Sequence, residues 1–280
     1  MSYENPPLPE GINVSGYSVL VETLRLAAAL ALIVALSGAV LYFGGGRLAR
    51  LIPFSSELAW AGDKTLGVDV VAATDPDAPA IETYLAELGA RLAVHMQLPD
   101  GMRVRIHYSA NDAPNAFATL GGHIVVTRGL YRLMPSENAL ATVLAHEIAH
   151  VRARDPIAAI GGTASLALLV VVIGGDASGL APQVARAVQL GYSRHAESLA
   201  DAAAIGALKA HYGHAGGAGS VFEALAGAHL STFSVPTLLS THPLDEQRIE
   251  RMHIAAEGWN PQTQPLQMLQ VRRSSTEAAR

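Results

Sequence analysis

The chain contains no cysteine in its 280 residues. Disulfide frameworks, thiolate zinc sites, iron–sulfur clusters, cysteine nucleophiles and lipids attached through Cys are therefore excluded. The compartment stays open, because a disulfide-free protein can work on either side of a membrane. Charge is scarce too. Asp, Glu, Lys and Arg make up 15% of the residues against 50% hydrophobic ones, with a mean hydropathy of +0.27. Soluble domains sit nearer ~25% charged. Disorder, a collagen-like fibre and a coiled coil do not fit this composition, and a membrane segment has to be sought. No basic excess is present: the net charge of -5 argues against a nucleic-acid partner. No internal repeat stands out. The glycine-rich stretch at 213–219 follows no strand, so it is a loop and not a phosphate cradle.

The length fits one large domain or two small ones, enough to bury a core without staples. Residues 1–24 are polar, contain Pro and lack periodicity, which reads as a flexible tail. Leu26 to Phe43 then runs for 18 residues without a charge, between Arg25 and Arg47. At ~1.5 Å per residue this roughly matches a ~30 Å hydrocarbon core. The preceding tail carries Glu4, Glu10 and Glu22, unlike the basic start of a signal peptide. We therefore read an uncleaved, single-pass anchor over 25–44 and a juxtamembrane connector over 45–75. The balance of Arg25 against Arg47 and Arg50 leans towards a cytoplasmic C-terminal portion by one residue, which leaves the side of the membrane unresolved.

Beyond the connector, the period of Ile81, Leu85, Leu88 and Leu92 predicts a helix between Asp77 and Leu98. Met102–Tyr108 alternates like a strand, and 116–120 with 123–127 read as a hairpin about Gly121-Gly122. Ser136–Arg152 reads as a helix capped by Ser136, and 182–212 and 244–256 as further helices. Residues 258–280 read as a loose tail.

The sharpest motif is His146-Glu147-Ile148-Ala149-His150. Residues four apart share one helix face, so two imidazoles can reach one ion while Glu147 beside them takes a proton from a bound water. Composition alone predicts about 0.02 such motifs in a chain of this length. A catalytic zinc needs a third protein ligand, here His, Asp or Glu, and keeps the fourth position for water. Downstream, Glu197 and Asp201 again lie four apart. Glu197 can ligate the ion, and Asp201 can hold the far nitrogen of a ligand His. His195 lies off that face and reads as a surface residue.

Together these blocks resemble the M48 family of zinc metallopeptidases, of the gluzincin type. The resemblance is carried by Asn115-Ala116-Phe117-Ala118 with Gly122–Val126; by His146–His150; by Ser193-Arg194, Glu197 and Ala200-Asp201; and by Ser240-Thr241-His242-Pro243 with Arg248-Ile249. It covers residues 75–255. It implies one Zn²⁺ per chain on His146, His150 and Glu197, with Glu147 as the catalytic acid/base. It also implies peptide or unfolded-protein substrates in membrane and envelope quality control, at a bacterial inner membrane. An exposed edge strand at Asn115, Ala116 and Phe117 can pair with an extended substrate. His242 can donate to the oxyanion, cap the metal in a latent state, or serve the fold. Arg248 reads as a partner of a structural carboxylate, outside the site.

These readings give an α+β, mainly helical, zincin-like domain over 76–257 with a small sheet, behind one transmembrane helix. Its partners are a peptide or protein substrate and the lipid bilayer. The apolar stretch 157–175 cannot be a single crossing if His150 and Glu197 share an ion. It is either a helix packed on the domain or a segment that dips into the membrane and returns. The rivals are a latent zinc-binding adaptor or chaperone, a prenyl-protein protease, and a two-span protein in which Glu197 and His146 lie on opposite sides.

Overall fold

The computed structural model describes residues 18–62, 75–172, 174–176, 192–232, 238, 242 and 245–269. The expected α+β, mainly helical architecture is observed. Helix α1 spans Val19–Ala49, α2 Phe54–Ala61 and α3 Ala78–Ala93. Strands β1 (Arg105–Ser109), β2 (Ala116–Ala118) and β3 (His123–Thr127) form one sheet of order β1-β3-β2. Strand β1 runs parallel to β3, and β2 pairs antiparallel with Phe117 opposite Val125. Helices α4 (Arg128–Leu133), α5 (Glu137–Ala153), α6 (Asp155–Val172), α7 (Arg194–Tyr212), α8 (Ser220–Thr232) and α9 (Glu246–Ala255) follow. The part of the expected 182–212 helix before Tyr192 lies outside the described residues.

Helix α5 is the axis of the domain. Every residue from Glu137 to Val151 is buried, so it shows no polar face. Its alanines at 139, 141, 145 and 149 let neighbours approach closely, and it packs chiefly on α7, then on α3 and β2. Leu140, Leu144 and Ile148 meet Leu85, Leu88 and Leu92 of α3, Ile124 and Val126 of β3, and Leu208 of α7 in one core. Ser136 Oγ accepts the Ala139 N–H at 3.2 Å and starts the helix. Glu137 then ties three helices together, accepting from Tyr84 Oη at 2.6 Å and Tyr212 Oη at 3.0 Å. The hairpin turns through Gly122 at φ +75°, where a Cβ would stand 2.0 Å from the Arg103 carbonyl oxygen. Only glycine fits there.

Three sequence expectations need correction. First, the stretch after residue 44 is not irregular: α1 runs on from the 25–44 segment through Gly44-Gly45-Gly46 to Ala49, and the connector contains α2. Each helical glycine costs ~1 kcal/mol in propensity, which close packing offsets. A Cβ on Gly161 would lie 2.4 Å from Ala49 Cβ and 2.8 Å from the Gly45 oxygen, and one on Gly162 would lie 2.8 Å from the Tyr42 oxygen. The backbones of α6 and of the last turns of α1 therefore touch. Second, the reading of 258–280 as a loose tail fails for 259–269. The Glu137 N–H donates to the Gln267 oxygen and the Gln267 N–H to Asn138 Oδ1, both at 2.8 Å, and Leu269 is buried. A polar, aperiodic sequence is held here by hydrogen bonds that periodicity does not report. Third, Asn115–Ala118 is not exposed; every residue in it is buried.

Two described helices are long and apolar enough to cross a bilayer, α1 and α6. Along Val19–Leu41 the apolar side chains are exposed, including Leu26, Leu30 and Ile33. Helix α6 is continuous. Its first half is buried through Ile157, Ala159 and Gly162, while Leu168 and Val172 near its end are exposed. The first glycine pair of the 157–175 stretch thus makes a helix contact and not a turn.

Gly161→Val should lower stability by about 1–3 kcal/mol through this overpacking. Gly44→Ala, where nothing stands within 4 Å of the added Cβ, should not. Thermal unfolding of the two detergent-solubilised variants checks the contrast; equal midpoints would mean the α1–α6 contact is loose.

Candidate metal centre

Four side chains converge at one point. Helix α5 presents His146 and His150, one turn apart, α7 presents Glu197, and His242 arrives from the segment before α9. Donor atoms of all four lie within 4.8 Å of one another, and all four residues are buried. His146 Nε2 is 3.0 Å from His150 Nε2, 3.3 Å from His242 Nδ1 and 3.3 Å from Glu197 Oε2. Glu197 Oε1 is 3.0 Å from His242 Nδ1 and 3.5 Å from His150 Nε2. A tetrahedral ion with bonds of roughly 2.0–2.1 Å sets its donors about 3.3 Å apart. The donor set thus has the spacing and the N/O chemistry of a zinc site. The 3.3 Å between His146 and Glu197 also rules out a two-span arrangement that parts them.

Each helical imidazole is oriented from behind. Asp201, one turn after Glu197, places Oδ1 3.0 Å from His146 Nδ1. Asp155 places Oδ2 2.8 Å from His150 Nδ1. Such carboxylates select the tautomer whose Nε2 lone pair faces the centre. Arg248 holds Asp201 with Nε and Nη2, both at 2.8 Å, and Nη1 lies 2.8 Å from Glu197 Oε2. The expectation that Arg248 stands outside the site is therefore corrected: its planar fork reaches both acidic residues at once.

Glu147 lies one residue round the helix from the donors. Its Oε2 accepts the Ala118 N–H at 2.9 Å. Its Oε1 is buried without a hydrogen bond and lies 3.4 Å from His242 Nε2. The register of β2 explains the first contact. Asn115–Thr127 and Thr119–His123 are hydrogen-bonded pairs, so by alternation Ala116 and Ala118 turn their amides to the free edge. That edge faces α5. Asn115 Oδ1 is buried and unpartnered, and Phe117 is buried beside it. Ser240, Thr241 and Pro243 lie outside the described residues.

Three features of the centre escaped the sequence reading. Asp155 follows the H-E-x-x-H helix across a left-handed residue, Arg154 at φ +59°, so helical spacing does not mark it; the Asp-Pro pair opening the next helix is the only local signal. Arg50, which binds Asp155 at 2.7 Å, is remote in sequence. Tyr192 stacks on His150 with ring centroids 4.1 Å apart, and its Oη is buried without a hydrogen bond. On the outer side of Tyr192 lies a cleft of about 960 Å³ bordered by Arg50, Arg152, His195 and Leu199.

Electrostatics follow from the packing. Burial opposes charge on His146, but the hydrogen bonds from Asp201 and Glu197 prevail and push its pKa up to about 9. Glu197 is held well below the usual carboxylate range against the same burial by its three histidine partners. Burial raises Tyr192, and the nearby Glu147, Asp155 and Glu197 raise it further.

A helix bearing two imidazoles and an intervening carboxylate, completed by a glutamate from a later helix, defines the class as a metallopeptidase. Residues 79–255 match Peptidase family M48. A beta-barrel assembly-enhancing protease of Yersinia pestis is 28% identical over 65% of this chain and 40% of its own length. A protease HtpX homolog of Syntrophobacter fumaroxidans is 31% identical over 82% of this chain and 96% of its own. The mitochondrial metalloendopeptidase OMA1 of Schizosaccharomyces pombe is 28% identical over 65% and 53%. The chain thus spans well under half the length of the first of these relatives and nearly all of the second. It belongs to peptidase family M48.

A divalent ion must expel the proton that His146 holds in the metal-free protein. Metal affinity should therefore fall about tenfold per pH unit below pH ~9 through this proton alone and level off above it. Zinc titrations in buffers of different ionisation enthalpy should show proton release at pH 7. Zinc uptake with no proton release would contradict the assignment.

Proposed function

We propose that this chain is a membrane-anchored zinc endopeptidase. His146, His150 and Glu197 hold the ion, Glu147 moves the proton, and α1 is the anchor. The observation that carries the reading is the convergence of four buried donors, all within 4.8 Å of one another, with the five separations given above at 3.0–3.5 Å when the Glu197 carboxylate is taken as one group. A zinc ion held there would supply Lewis acidity and lower the pKa of an attacking water to about 7. Glu147 takes that water's proton on Oε1 and passes it to the leaving amine, while the Ala118 N–H fixes Oε2. The Ala118 amide is engaged by Glu147 and the edge is buried against α5, so pairing of an extended peptide with the Ala116 amide, which gives affinity with little side-chain preference, requires the edge to open. Asn115 adds an amide oxygen beside that edge, and Phe117 packs next to it. Unfolded membrane or envelope proteins are the substrate class, in keeping with relatives named for β-barrel assembly and for mitochondrial endopeptidase activity.

One observation favours a second reading. His242 supplies a fourth donor, and catalytic zinc sites keep that position open. The geometry described is therefore that of a latent centre, in which His242 must leave before substrate is attacked, or of a zinc-binding adaptor in which it never leaves. Were His242 to leave the donor set, its imidazole would be free to donate to the oxyanion.

Casein cleavage by the detergent-solubilised protein separates these readings. Wild type should cleave, lose activity to chelator and regain it with zinc. Glu147→Gln should lower the rate by at least 10²-fold while zinc stays bound. Stoichiometric zinc without cleavage, in wild type and in His242→Ala alike, would favour the adaptor. Cleavage that survives Glu147→Gln would refute the mechanism.

A further inference from the structure

The end of α1 is wired to the metal centre through side chains that the proposed chemistry does not use. Arg50, one residue past the helix, places Nη2 2.7 Å from Asp155 Oδ1. Asp155 is buried, and its other oxygen holds His150 Nδ1 at 2.8 Å. A buried carboxylate needs a partner for each oxygen, and these two supply them. From the residue before Asp155, a second tie returns to the same segment. The Arg154 guanidinium, on the left-handed residue that ends α5, donates to the carbonyl oxygens of Arg50 and Ile52 and to the Glu57 carboxylate. Glu57 is itself buried and accepts the Gly121 N–H at 3.3 Å in the β2–β3 turn. Strand β2 carries the amide that fixes Glu147. The stretch 50–57 thus reaches one metal donor through Asp155 and the catalytic carboxylate through Glu57 and the hairpin.

We propose that residues 50–57 form a clasp that sets the metal centre according to how the end of α1 is seated, with Arg50 and Asp155 as positioning residues for His150. Arg50 stands at the lip of the cleft, its side chain 42% exposed, and it follows directly on the last turn of α1, whose backbone rests on α6 at Gly45 and Gly161. A shift of that helix end moves Arg50, frees one oxygen of Asp155 and releases the orientation of His150. The interaction is a distance-limited ion pair and not a packed surface, so it can be broken without unfolding α5. The proposal rests on His150 being a metal ligand.

The test is zinc affinity of the full-length protein, measured by competition with a chelating dye and read beside thermal stability. Loss of an outer partner of a ligand histidine typically weakens metal binding 10–100-fold. Asp155→Ala should fall in that range and Arg50→Ala in the same direction. Arg50→Lys should recover most of the loss, because a single contact at 2.7 Å needs a charge and not a fork. Arg47→Ala, a change on the same helix end, should bind zinc as wild type does. Should Asp155→Ala fail to fold, Arg50→Ala still decides, since its side chain is partly in solvent. Zinc affinity within twofold of wild type in folded Arg50→Ala would overturn the clasp, whether or not its melting temperature drops. A wild type that binds no zinc, or a His150→Ala that binds it equally well, would instead overturn the metal reading itself.

Discussion

Everything around the centre answers one electrostatic constraint: four carboxylates are buried around the same three histidines. Glu147, Glu197, Asp155 and Asp201 are each 5% exposed or less. Taking even one such group out of water costs several kcal/mol unless it is paired. Arg248 is the guanidinium buried among them, and Arg50 and Arg251 reach in from the rim. Hydrogen bonds from Asp201 and Glu197 outweigh burial and raise His146 to about 9, and those from Asp155 and Glu197 raise His150 as well, so a proton on the imidazoles joins the arginines in facing these carboxylates. A divalent ion among the imidazoles would replace that proton and bring positive charge to the point where the anions converge. The donor chemistry and the charge balance therefore lead to the same occupant.

The constraint also explains the shape of α5. An all-buried helix would ordinarily be apolar throughout, yet this one carries two histidines and a glutamate in its middle. Small residues at 141, 145 and 149 let α7 come close enough for Glu197 and Asp201 to reach the imidazoles. Ser136 and Glu137 hold the helix N-terminus, and Arg154 holds its C-terminus in a left-handed conformation that costs roughly 1–2 kcal/mol for a residue other than glycine. That strain is tolerable because the guanidinium gains Glu57 and two backbone carbonyls by sitting there. It also turns the chain so that Asp155 points back at His150.

What could be read from the sequence followed helical arithmetic. His146 with His150, and Glu197 with Asp201, are i and i+4 pairs, and each pair does lie on one helix face. The hairpin at Gly121-Gly122 and the Ser136 cap carry local signals of equal clarity. The rest lay outside such arithmetic. Asp155 is five residues from His150 across a change of helix, Arg50 is about a hundred residues away, and Tyr192 stacks on an imidazole with no spacing rule to announce it. The burial of Asn115–Ala118 was missed because strand alternation shows which side chains pair but not whether the free edge is covered. The packing of 259–269 was missed because it depends on Asn138 and on glycines 216 and 217, where a side chain would meet Trp259 and Leu266.

His242 is where these threads cross. Its Nδ1 completes the donor set, and its Nε2 lies 3.4 Å from the Glu147 oxygen that lacks a hydrogen bond. Its backbone N–H donates to the Leu238 oxygen at 2.8 Å, and the Leu238 N–H to the Pro114 oxygen at 3.2 Å, next to Asn115. On the proposed reading, one ring thus stands against both groups that hydrolysis would need free, the donor cluster and the Glu147 carboxylate.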